Sequence, residues 1–277
     1  MITNIDNDKI INNSKYNNLF LSASLNDINE NCKILKSSFY LDSFNYFPVT
    51  KNYETFKNLF KRQDNNSIDN FYTKIFFENF KKNEKNFKKF EDCFILGSSP
   101  SDNYYSNLIH FLPRLFFNNE KHINLIIHRN LSNKFRSLLK NICNLREVQV
   151  NFNYIDDDFY QFNDSTCPQF FNIEKSIKIL QYFFKKILEN VKDLDYGKRI
   201  YIRREDADYR KILNEADLIE KLRKNNFQII NPNHFEILEQ MKIFSCAEII
   251  ISPHGSNLSN IIFCNSGSKI YEIGPKF

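Results

Sequence analysis

From residue 93 onward the chain alternates short apolar runs with amphipathic segments, and this pattern predicts an α/β fold. The predicted segments are a strand at 93–97, a helix at 103–117, a strand at 123–128, a helix at 131–142 and a strand at 147–152. A strand-helix-strand-helix-strand succession is typical of a parallel sheet with helices packed on its faces. The pattern therefore predicts a first sheet in this half of the chain.

A second series follows a long amphipathic segment at 173–191, whose apolar residues recur at helical spacing. Predicted strands at 199–203, 227–230, 248–252 and 269–273 alternate with predicted helices at 214–224, 235–246 and 258–263. Two consecutive Rossmann-like parallel-sheet domains with a cleft between them account for both series. Ligands of such sheets bind at the carboxyl ends of the strands.

The rest of the pattern gives the predicted domain organisation. Residues 1–30 are polar and Asn-rich and are expected to be poorly ordered. An N-terminal domain at 31–170 includes a helix near 69–90 and ends in an acidic, turn-rich loop at 153–170. A linker helix at 171–195 leads to a C-terminal domain at 196–277.

Composition excludes several classes of protein. The 29 Phe and 14 Tyr supply apolar mass for a core, and the net charge of +5 is mild. The densest basic run, at 80–89, is interrupted by Glu84 and is typical of a solvated helix face rather than a nucleic-acid site. No stretch has the apolar length of a signal peptide or a membrane span, so a cytoplasmic location is expected.

The cysteines and most histidines show no metal-ligand spacing. Six cysteines lie far apart without a CxxC pair, and Cys93 and Cys246 lie in apolar runs, which favours buried thiols in a reducing compartment. His122, His128 and His234 are expected to be surface or loop residues. No metal site is predicted.

The segment Ser252–Asn260 is the most informative stretch of the chain. An apolar run precedes it, so it predicts a strand, a tight turn and a helix start. Gly255 is one of only five glycines, which predicts a turn where the backbone closely approaches another group. A helix N-terminus suits an anion such as a diphosphate, and His254, Ser256 and Ser259 add polar groups. Taken alone, the segment also fits an ordinary strand-to-helix turn with a capping serine.

Charged residues follow or lie in the predicted strands of the same half. Arg204 and Arg210 follow the first strand, and Glu272 lies in the last. Two guanidiniums, a helix N-terminus and a histidine can neutralise a diphosphate without a metal. A carboxylate near a strand end can accept the hydroxyls of a ribose.

Each of these residues also has a purely structural interpretation. Arg204 could pair with Glu205 or Asp206 at the surface. Asn214 and Glu215 could cap and charge the start of a helix.

From Ile200 to Glu272 the chain resembles glycosyltransferase family 61. That family includes extracellular O-GlcNAc transferases, plant xylan arabinosyl- and xylosyltransferases and many bacterial capsule-biosynthesis proteins. The matching segments are Ile200-Tyr201-Ile202-Arg203-Arg204, Arg210, Ile212-Leu213-Asn214-Glu215, Phe235, Glu239-Gln240, Phe244, Ala247-Glu248-Ile249-Ile250-Ile251, His254-Gly255-Ser256-Asn257-Leu258-Ser259-Asn260 and Ile270-Tyr271-Glu272. A second match covers Asn103-Tyr104-Tyr105 and Leu112-Pro113-Arg114-Leu115.

The resemblance implies a GT-B fold and inverting sugar transfer from a nucleotide donor, usually UDP-linked, without an essential metal or other cofactor. It implies a catalytic role for His254, whereas a catalytic role for His110 is a hypothesis that rests on a departure from the family pattern, given below. It also implies a donor site of Arg204, Arg210, Asn214, Glu215, His254, Gly255, Ser256, Asn257, Asn260 and Glu272, and an acceptor side that includes Asn103, Tyr104, Tyr105 and Arg114. Arg204, Arg210 and His254 would face the diphosphate, and Glu272 would lie near the nucleotide.

The chain departs from the family pattern in the His-Gly segment. The family typically has His-Gly-Ala-Gly-Leu-Thr-Asn, whereas Ser256, Asn257 and Ser259 replace the small pair and the threonine here. Loss of the second glycine narrows the approach to the phosphates, although Asn tolerates a left-handed φ better than most residues.

A second departure concerns the catalytic base. After Asn-Tyr-Tyr the family usually has His-Trp, with an acidic residue four positions beyond that His; these positions are Ser106, Asn107 and His110 here. Residues 106 and 110 share one face of an α-helix, so we hypothesise that His110 acts as the base. Alternatively, His110 is a histidine at the edge of the core and the base is lost or lies elsewhere.

Together these features predict a GT-B-like glycosyltransferase that acts in the cytoplasm on a polysaccharide or lipopolysaccharide intermediate. A UDP-sugar would bind residues 200–273, the acceptor would lie against residues 97–117, and peripheral membrane contact is compatible with this role. Family members usually continue beyond the Glu272 strand, so an end at Phe277 is expected to reflect an incomplete second domain, a natural minimal form or a degraded gene product. The alternatives are a catalytically weakened homologue that binds a nucleotide-sugar or a partner protein, and a nucleotide-binding regulatory module.

Overall fold

The structure, a computed structural model, describes residues 10–12, 33–44, 46–50, 74–118, 120–189, 191, 197–205 and 212–274. The chain divides into two compact units. The first comprises residues 1–132 and 139–176, and the second comprises residues 133–138 and 177–277. The predicted domain boundaries stay predictions, and the predicted N-terminal segment at 1–30 lies outside the described residues except for Ile10–Asn12.

The first unit contains a mixed sheet, which has eight strands within the described residues. The strands are β1 (Ile10–Asn12), β2 (Lys33–Asp42), β3 (Phe47–Thr50), β4 (Lys88–Glu91), β5 (Cys93–Ile95), β6 (His122–His128), β7 (Gln149–Ile155) and β8 (Phe159–Pro168). Their order is β1-β2-β8-β5-β6-β7, with β3 beside β2 and β4 beside β8. Strands β5, β6 and β7 are parallel, as the sequence predicts, whereas β1, β2 and β3 pair antiparallel.

Strand β8 overturns the prediction of a loop at 153–170. It pairs antiparallel with β2 and parallel with β4 and β5, so it lies in the middle of the sheet. Tyr160 and Phe162 are buried, whereas Gln161, Asn163 and Asp164 retain exposure. A strand that buries one face has polar residues at every second position, and this polar content resembles the composition of a loop.

The predicted helix near 69–90 is shorter than expected. Helix α1 comprises Lys74–Asn83, and β4 begins at Lys88 after a short 3₁₀-turn. Residues 69–73 lie outside the described residues. The charged residues that suggest one continuous helix face instead occupy a helix and an exposed strand.

A buried guanidinium links the ends of two strands in the first unit. The Arg114 side chain is 0% exposed. Its Nη1 donates to the Leu96 carbonyl at 2.6 Å, and its Nε and Nη2 donate to the Pro168 carbonyl at 3.2 and 2.8 Å. Burial lowers the pKa of Arg114, and the guanidinium stacks on the Phe170 ring at 4.1 Å. The expected acceptor contact of Arg114 is therefore wrong, because this side chain has no accessible surface.

The second unit contains a parallel sheet of the predicted kind. The strands are β9 (Arg199–Ile202), β10 (Gln228–Ile230), β11 (Ile249–Pro253) and β12 (Lys269–Ile273), in the order β10-β9-β11-β12. Helices α2 (Asn133–Leu145) and α3 (Ile173–Glu189) each contribute residues to both units, whereas α4 (Glu215–Lys224) and α5 (Ile237–Cys246) belong to the second unit. Every described strand pair in this sheet is parallel.

The side chains of β9 alternate between two helical layers. Ile200 and Ile202 pack with Ile243 and Phe244 of α5, whereas Tyr201 packs in a cluster with α4 residues. Successive side chains of a strand point to opposite faces, so an apolar strand in this setting requires a helix on each side. The observed packing confirms a mixed α/β protein with parallel strands.

Two individual predictions about burial are wrong. Cys246 is exposed because it lies at the end of α5, whereas Cys93, Cys143 and Cys167 are buried and burial raises their pKa values to about 11. His128 is buried at the end of β6, where its Nδ1 accepts from the Asn130 N–H at 3.1 Å. Among the described residues, no helix combines the length and the apolar character that crossing a bilayer requires.

We expect Arg114→Met to lower the free energy of unfolding by about 2–6 kcal/mol. The change leaves the carbonyls of Leu96 and Pro168 unpaired, and each buried unpaired acceptor costs roughly 1–3 kcal/mol. Urea unfolding followed by circular dichroism measures the effect. The matched control is Arg129→Met, because Arg129 pairs with Asp156 at 2.9 Å on the surface and should contribute less than about 1 kcal/mol. Equal effects of the two substitutions would contradict a structural role for Arg114.

Candidate functional site

The strand order of the second sheet has a reversal point between β9 and β11. After β9 the chain forms β10 on one side and then crosses to form β11 on the other side. Ligands of open parallel sheets bind outside the carboxyl ends of the strands where the order reverses in this way. Arg203 and Arg204 directly follow β9, and His254 and Gly255 directly follow β11. Arg204, His254 and Gly255, three of the predicted donor residues, therefore lie at the edge of the sheet where a ligand is expected.

The guanidinium of Arg204 lies against the backbone of Gly255. A Cβ atom at residue 255 would come within 2.9 Å of Arg204 Nη1 and 3.0 Å of its Cζ. The Nη1 atom also donates to the His254 carbonyl. With a φ of 175°, the Gly255 backbone is extended and unstrained, so the effect of a side chain here would be to displace the Arg204 guanidinium.

His254 is held by contacts from two neighbouring strands. Its N–H donates to the Ile273 carbonyl at 3.0 Å, and its carbonyl accepts from Arg204. Its Nδ1 lies 2.5 Å from Glu272 Oε1 because β11 and β12 are parallel and pair Ser252 with Glu272. Both side chains are about half exposed, at 53% and 48%. Glu272 thus lies at the predicted site, but the group that it contacts is His254.

Glu215 joins the ends of β9 and α4. Its Oε1 accepts from the Tyr201 hydroxyl at 2.8 Å, and its Oε2 accepts from Arg203 Nε at 3.1 Å. The pKa of Tyr201 is raised, mainly by burial and also by the hydrogen bond to Glu215. The pKa of Arg203 is raised mainly by its hydrogen bond to Glu215. Asn214 occupies the N-cap position of α4 without a side-chain capping bond. Glu215 therefore fixes Arg203 at this end of β9, and its predicted place in the donor site stays a prediction.

The ion pair with Glu205 that the sequence suggests for Arg204 is formed by Arg203 instead. Arg203 Nη1 contacts Glu205 Oε1 at 3.0 Å. Arg210 lies outside the described residues, as does Asp206, so the role of Arg210 stays a prediction.

The turn after Gly255 is a 3₁₀-helix rather than the predicted α-helix. It comprises Ser256–Phe263, and no side chain caps its start. The Ser259 hydroxyl donates to the Ser256 carbonyl, so neither serine is the capping residue that an ordinary turn would have. Ser256 and Asn257 are half-buried and Asn260 is buried. The first N–H groups of a helix have no partner within it, so this turn can still present donors to an anion.

The 103–117 segment of the first unit changes helical type twice. An α-turn at Tyr104–Ser106 is followed by a π-turn at Asn107–Phe111 and a 3₁₀-helix at Leu112–Phe117. Asn103 caps the segment by accepting from the Ser106 N–H at 2.9 Å. This capping bond gives Asn103 a structural role in addition to its predicted place on the acceptor side.

The π-turn changes the neighbours of His110. The Leu112 N–H donates to the Asn107 carbonyl, which is the five-residue spacing of a π-turn. The His110 ring contacts the Tyr105 ring edge-on, with centroids 5.5 Å apart. In an α-helix residue 110 would share a face with residue 106, whereas in this π-turn its ring contacts residue 105. Tyr105 is exposed, while Tyr104 and His110 are half-buried.

Asn107 was not predicted to have a role in the site, yet it anchors the loop after β5. Its Oδ1 accepts from the Ser99 N–H at 2.7 Å, and its Nδ2 donates to Asp102 at 2.9 Å. The sequence alone does not reveal this role, because the bonds of Asn107 to Ser99 and Asp102 depend on how the loop folds. Asn107 therefore stabilises the loop that precedes the helical segment.

The family model described as Glycosyltransferase 61 matches residues 93–271, which is well over half of the chain. The chain belongs to glycosyltransferase family 61. It is therefore an enzyme that transfers a sugar from a donor to an acceptor. No curated protein matches the sequence.

The family 61 match includes both groups of candidate residues. It starts at Cys93, the first residue of β5, and ends at Tyr271 within β12. It thus covers the 103–117 segment and the carboxyl ends of β9 and β11. The sequence did not predict that Arg203 lies at this site or that His254 contacts Glu272 in this glycosyltransferase. Two adjacent arginines at a strand end were a signal for the first, but only strand pairing identifies the second.

In this glycosyltransferase we expect Gly255→Ala to weaken donor binding about 10-fold, since the added methyl displaces a charged hydrogen-bond donor. A thermal-shift panel of nucleotide-sugars measures the effect: a ligand that stabilises the wild-type protein should stabilise the variant less. Gly274→Ala is the matched control because a Cβ there meets no atom within 4 Å. Unchanged ligand stabilisation in Gly255→Ala would show that the contact of Arg204 with Gly255 is unimportant for the donor.

Proposed function

We propose that this family 61 enzyme has a GT-B fold and transfers a sugar from a UDP-linked donor, with inversion and without an essential metal. The proposed acceptor is a polysaccharide or lipopolysaccharide intermediate in the cytoplasm. The observation that supports this most directly is the contact of Arg204 with Gly255 and His254 at the reversal point of a parallel sheet.

The chemistry of a diphosphate fits this edge of the sheet. Arg204 supplies a permanent positive charge, and the 3₁₀-turn at Ser256 and Asn257 supplies backbone N–H donors. Arg210 would add a second guanidinium. These groups hold negative charge on a leaving diphosphate, which is the task that a metal ion performs in other transferases.

The transfer step also requires an acceptor hydroxyl and a base. The acceptor hydroxyl oxygen forms a bond to the anomeric carbon while the bond from that carbon to the β-phosphate oxygen breaks. The electron pair of the broken bond leaves on the diphosphate, and the hydroxyl proton passes to a base. We propose His110 for this base because it lies half-buried beside the exposed Tyr105 ring.

The acceptor would lie against residues 97–117. The aromatic rings of Tyr104 and Tyr105 retain exposure in this segment, and an aromatic ring with a polar tip suits a sugar surface. Peripheral contact with a membrane is compatible with a lipid-linked acceptor.

One observation favours a second candidate function, that of a weakened homologue that binds a nucleotide-sugar. Ser106 stands where the family usually has a histidine, and the π-turn directs His110 toward Tyr105. In this alternative the enzyme binds the donor but transfers the sugar slowly or not at all.

Arg204→Ala should raise the dissociation constant for UDP at least about 10-fold, because a charge-assisted hydrogen bond to the diphosphate is lost. Isothermal titration calorimetry provides the measurement. The matched control is Arg199→Ala: Arg199 is an exposed arginine at the opposite end of the same strand, where it donates to the Asn225 carbonyl. Similar affinities for the two variants would contradict the proposed donor site.

His110→Ala should leave UDP affinity unchanged and lower the turnover number by about 100-fold or more, the range for loss of a general base. The control is His122→Ala, an exposed histidine of the same unit. Unchanged turnover in His110→Ala would remove the residue from the mechanism. Donor binding without any turnover in the wild-type enzyme would favour the second candidate function.

A further inference from the structure

The ring of His254 has one nitrogen engaged and the other directed away from its partner. Nδ1 lies 2.5 Å from Glu272 Oε1. The backbone of His254 is held by the Ile273 carbonyl and by Arg204, so the ring emerges from a fixed point at the carboxyl end of β11. Because the two ring nitrogens lie on different edges of the imidazole, Nε2 is the nitrogen through which His254 would contact a ligand at this edge of the sheet.

We infer that Glu272 is a positioning residue: it orients the His254 ring and stabilises the imidazolium that forms when the donor's diphosphate binds. Nε2 then donates to the diphosphate, so that diphosphate binding takes up a proton. This inference rests on the proposed function, because it requires a diphosphate at this edge of the sheet. It gives Glu272 a role that differs from the contact with the ribose that the sequence predicts.

The protonation states of the ring determine what Nε2 can do. A neutral imidazole that donates its Nδ1–H to Glu272 presents a lone pair at Nε2, and this lone pair repels a phosphate oxygen. One added proton converts Nε2 into a charged donor, while Glu272 stabilises the resulting cation. Binding of the anion and binding of the proton therefore favour each other, and each must increase the affinity of the other.

The surrounding charges are compatible with this coupling. Within the described residues, the charged side chains in contact with His254 are Glu272 of β12 and Arg204, which follows β9. The 3₁₀-segment Ser256–Phe263 contains no ionisable side chain. Glu272 alone would repel the diphosphate, and a protonated His254 between the two removes that repulsion.

The proton count at pH 8 tests the inference. An ordinary imidazole is mostly neutral at this pH, and the terminal phosphate of UDP is fully ionised, so proton uptake reports on the protein. UDP is titrated into the wild-type enzyme by isothermal calorimetry in PIPES, HEPES and Tris, whose ionisation enthalpies differ. We expect uptake of between about half and one proton for each UDP bound, and affinity that falls from pH 6 to pH 8.5.

Three variants assign the proton. His254→Ala should remove the uptake and weaken UDP binding about 10-fold. Glu272→Gln, which preserves the shape of the side chain, should lower both uptake and affinity at pH 8 while leaving affinity at pH 6 close to that of the wild-type enzyme. The control is His234→Ala, an exposed histidine of the same unit, which should bind UDP and protons like the wild type. Thermal unfolding of each ligand-free variant confirms that it is folded.

Different results would contradict the role of Glu272 and the proposed donor site. Wild-type binding without proton uptake, or uptake that persists in His254→Ala, would overturn the inference and leave the donor site intact. The ribose role is tested with 2′-deoxy-UDP: if Glu272→Gln loses only the discrimination between UDP and its deoxy analogue, the positioning role is wrong. If UDP is not bound, the titration is repeated with GDP, ADP and TDP, and failure of all four overturns the proposed function as well.

Discussion

The candidate site depends on the parallel register of the second sheet. Because β9, β11 and β12 run in the same direction, their carboxyl ends meet at one edge, and Arg204, His254 and Glu272 lie together there although they are far apart in the sequence. An antiparallel partner in any of these places would move one of the side chains to the opposite edge. The apolar alternation of β9 toward two helical layers maintains this register.

Glycine and arginine act together at this edge. The absence of a side chain at residue 255 lets a guanidinium lie directly on the backbone of the turn, and the guanidinium in turn holds the carbonyl of His254. A preorganised cation loses little freedom when an anion binds, which favours affinity. The Arg203 side chain, held by Glu215, occupies the flank of the same strand end. Two adjacent arginines thus have different roles, one against the turn and one against α4.

The first unit uses an arginine in the opposite way. Arg114 belongs to a segment that resembles the family motif, yet its guanidinium donates only to the interior, where it joins the ends of β5 and β8. The same helical segment contains a π-turn, which often occurs at functional sites because it redirects side chains from regular helical positions. In this segment the π-turn brings Tyr105 and His110 together. The motif therefore combines one buried residue that stabilises the fold with residues such as Tyr105 that are exposed.

By itself, the sequence determined the parallel sheet of the second unit, the positions of its helices and the family. Those features follow from local patterns: apolar runs such as 249–251 need burial on both faces, and the His-Gly motif requires a close backbone approach. Tertiary structure decided the central position of β8, because its polar alternation is equally compatible with a loop. It also decided the burial of Arg114, the alignment of His110 with Tyr105, and the contact of His254 with Glu272. Each of these depends on strand pairing or helical type, which bring distant residues together and are set by the packing of the whole unit rather than by neighbouring residues.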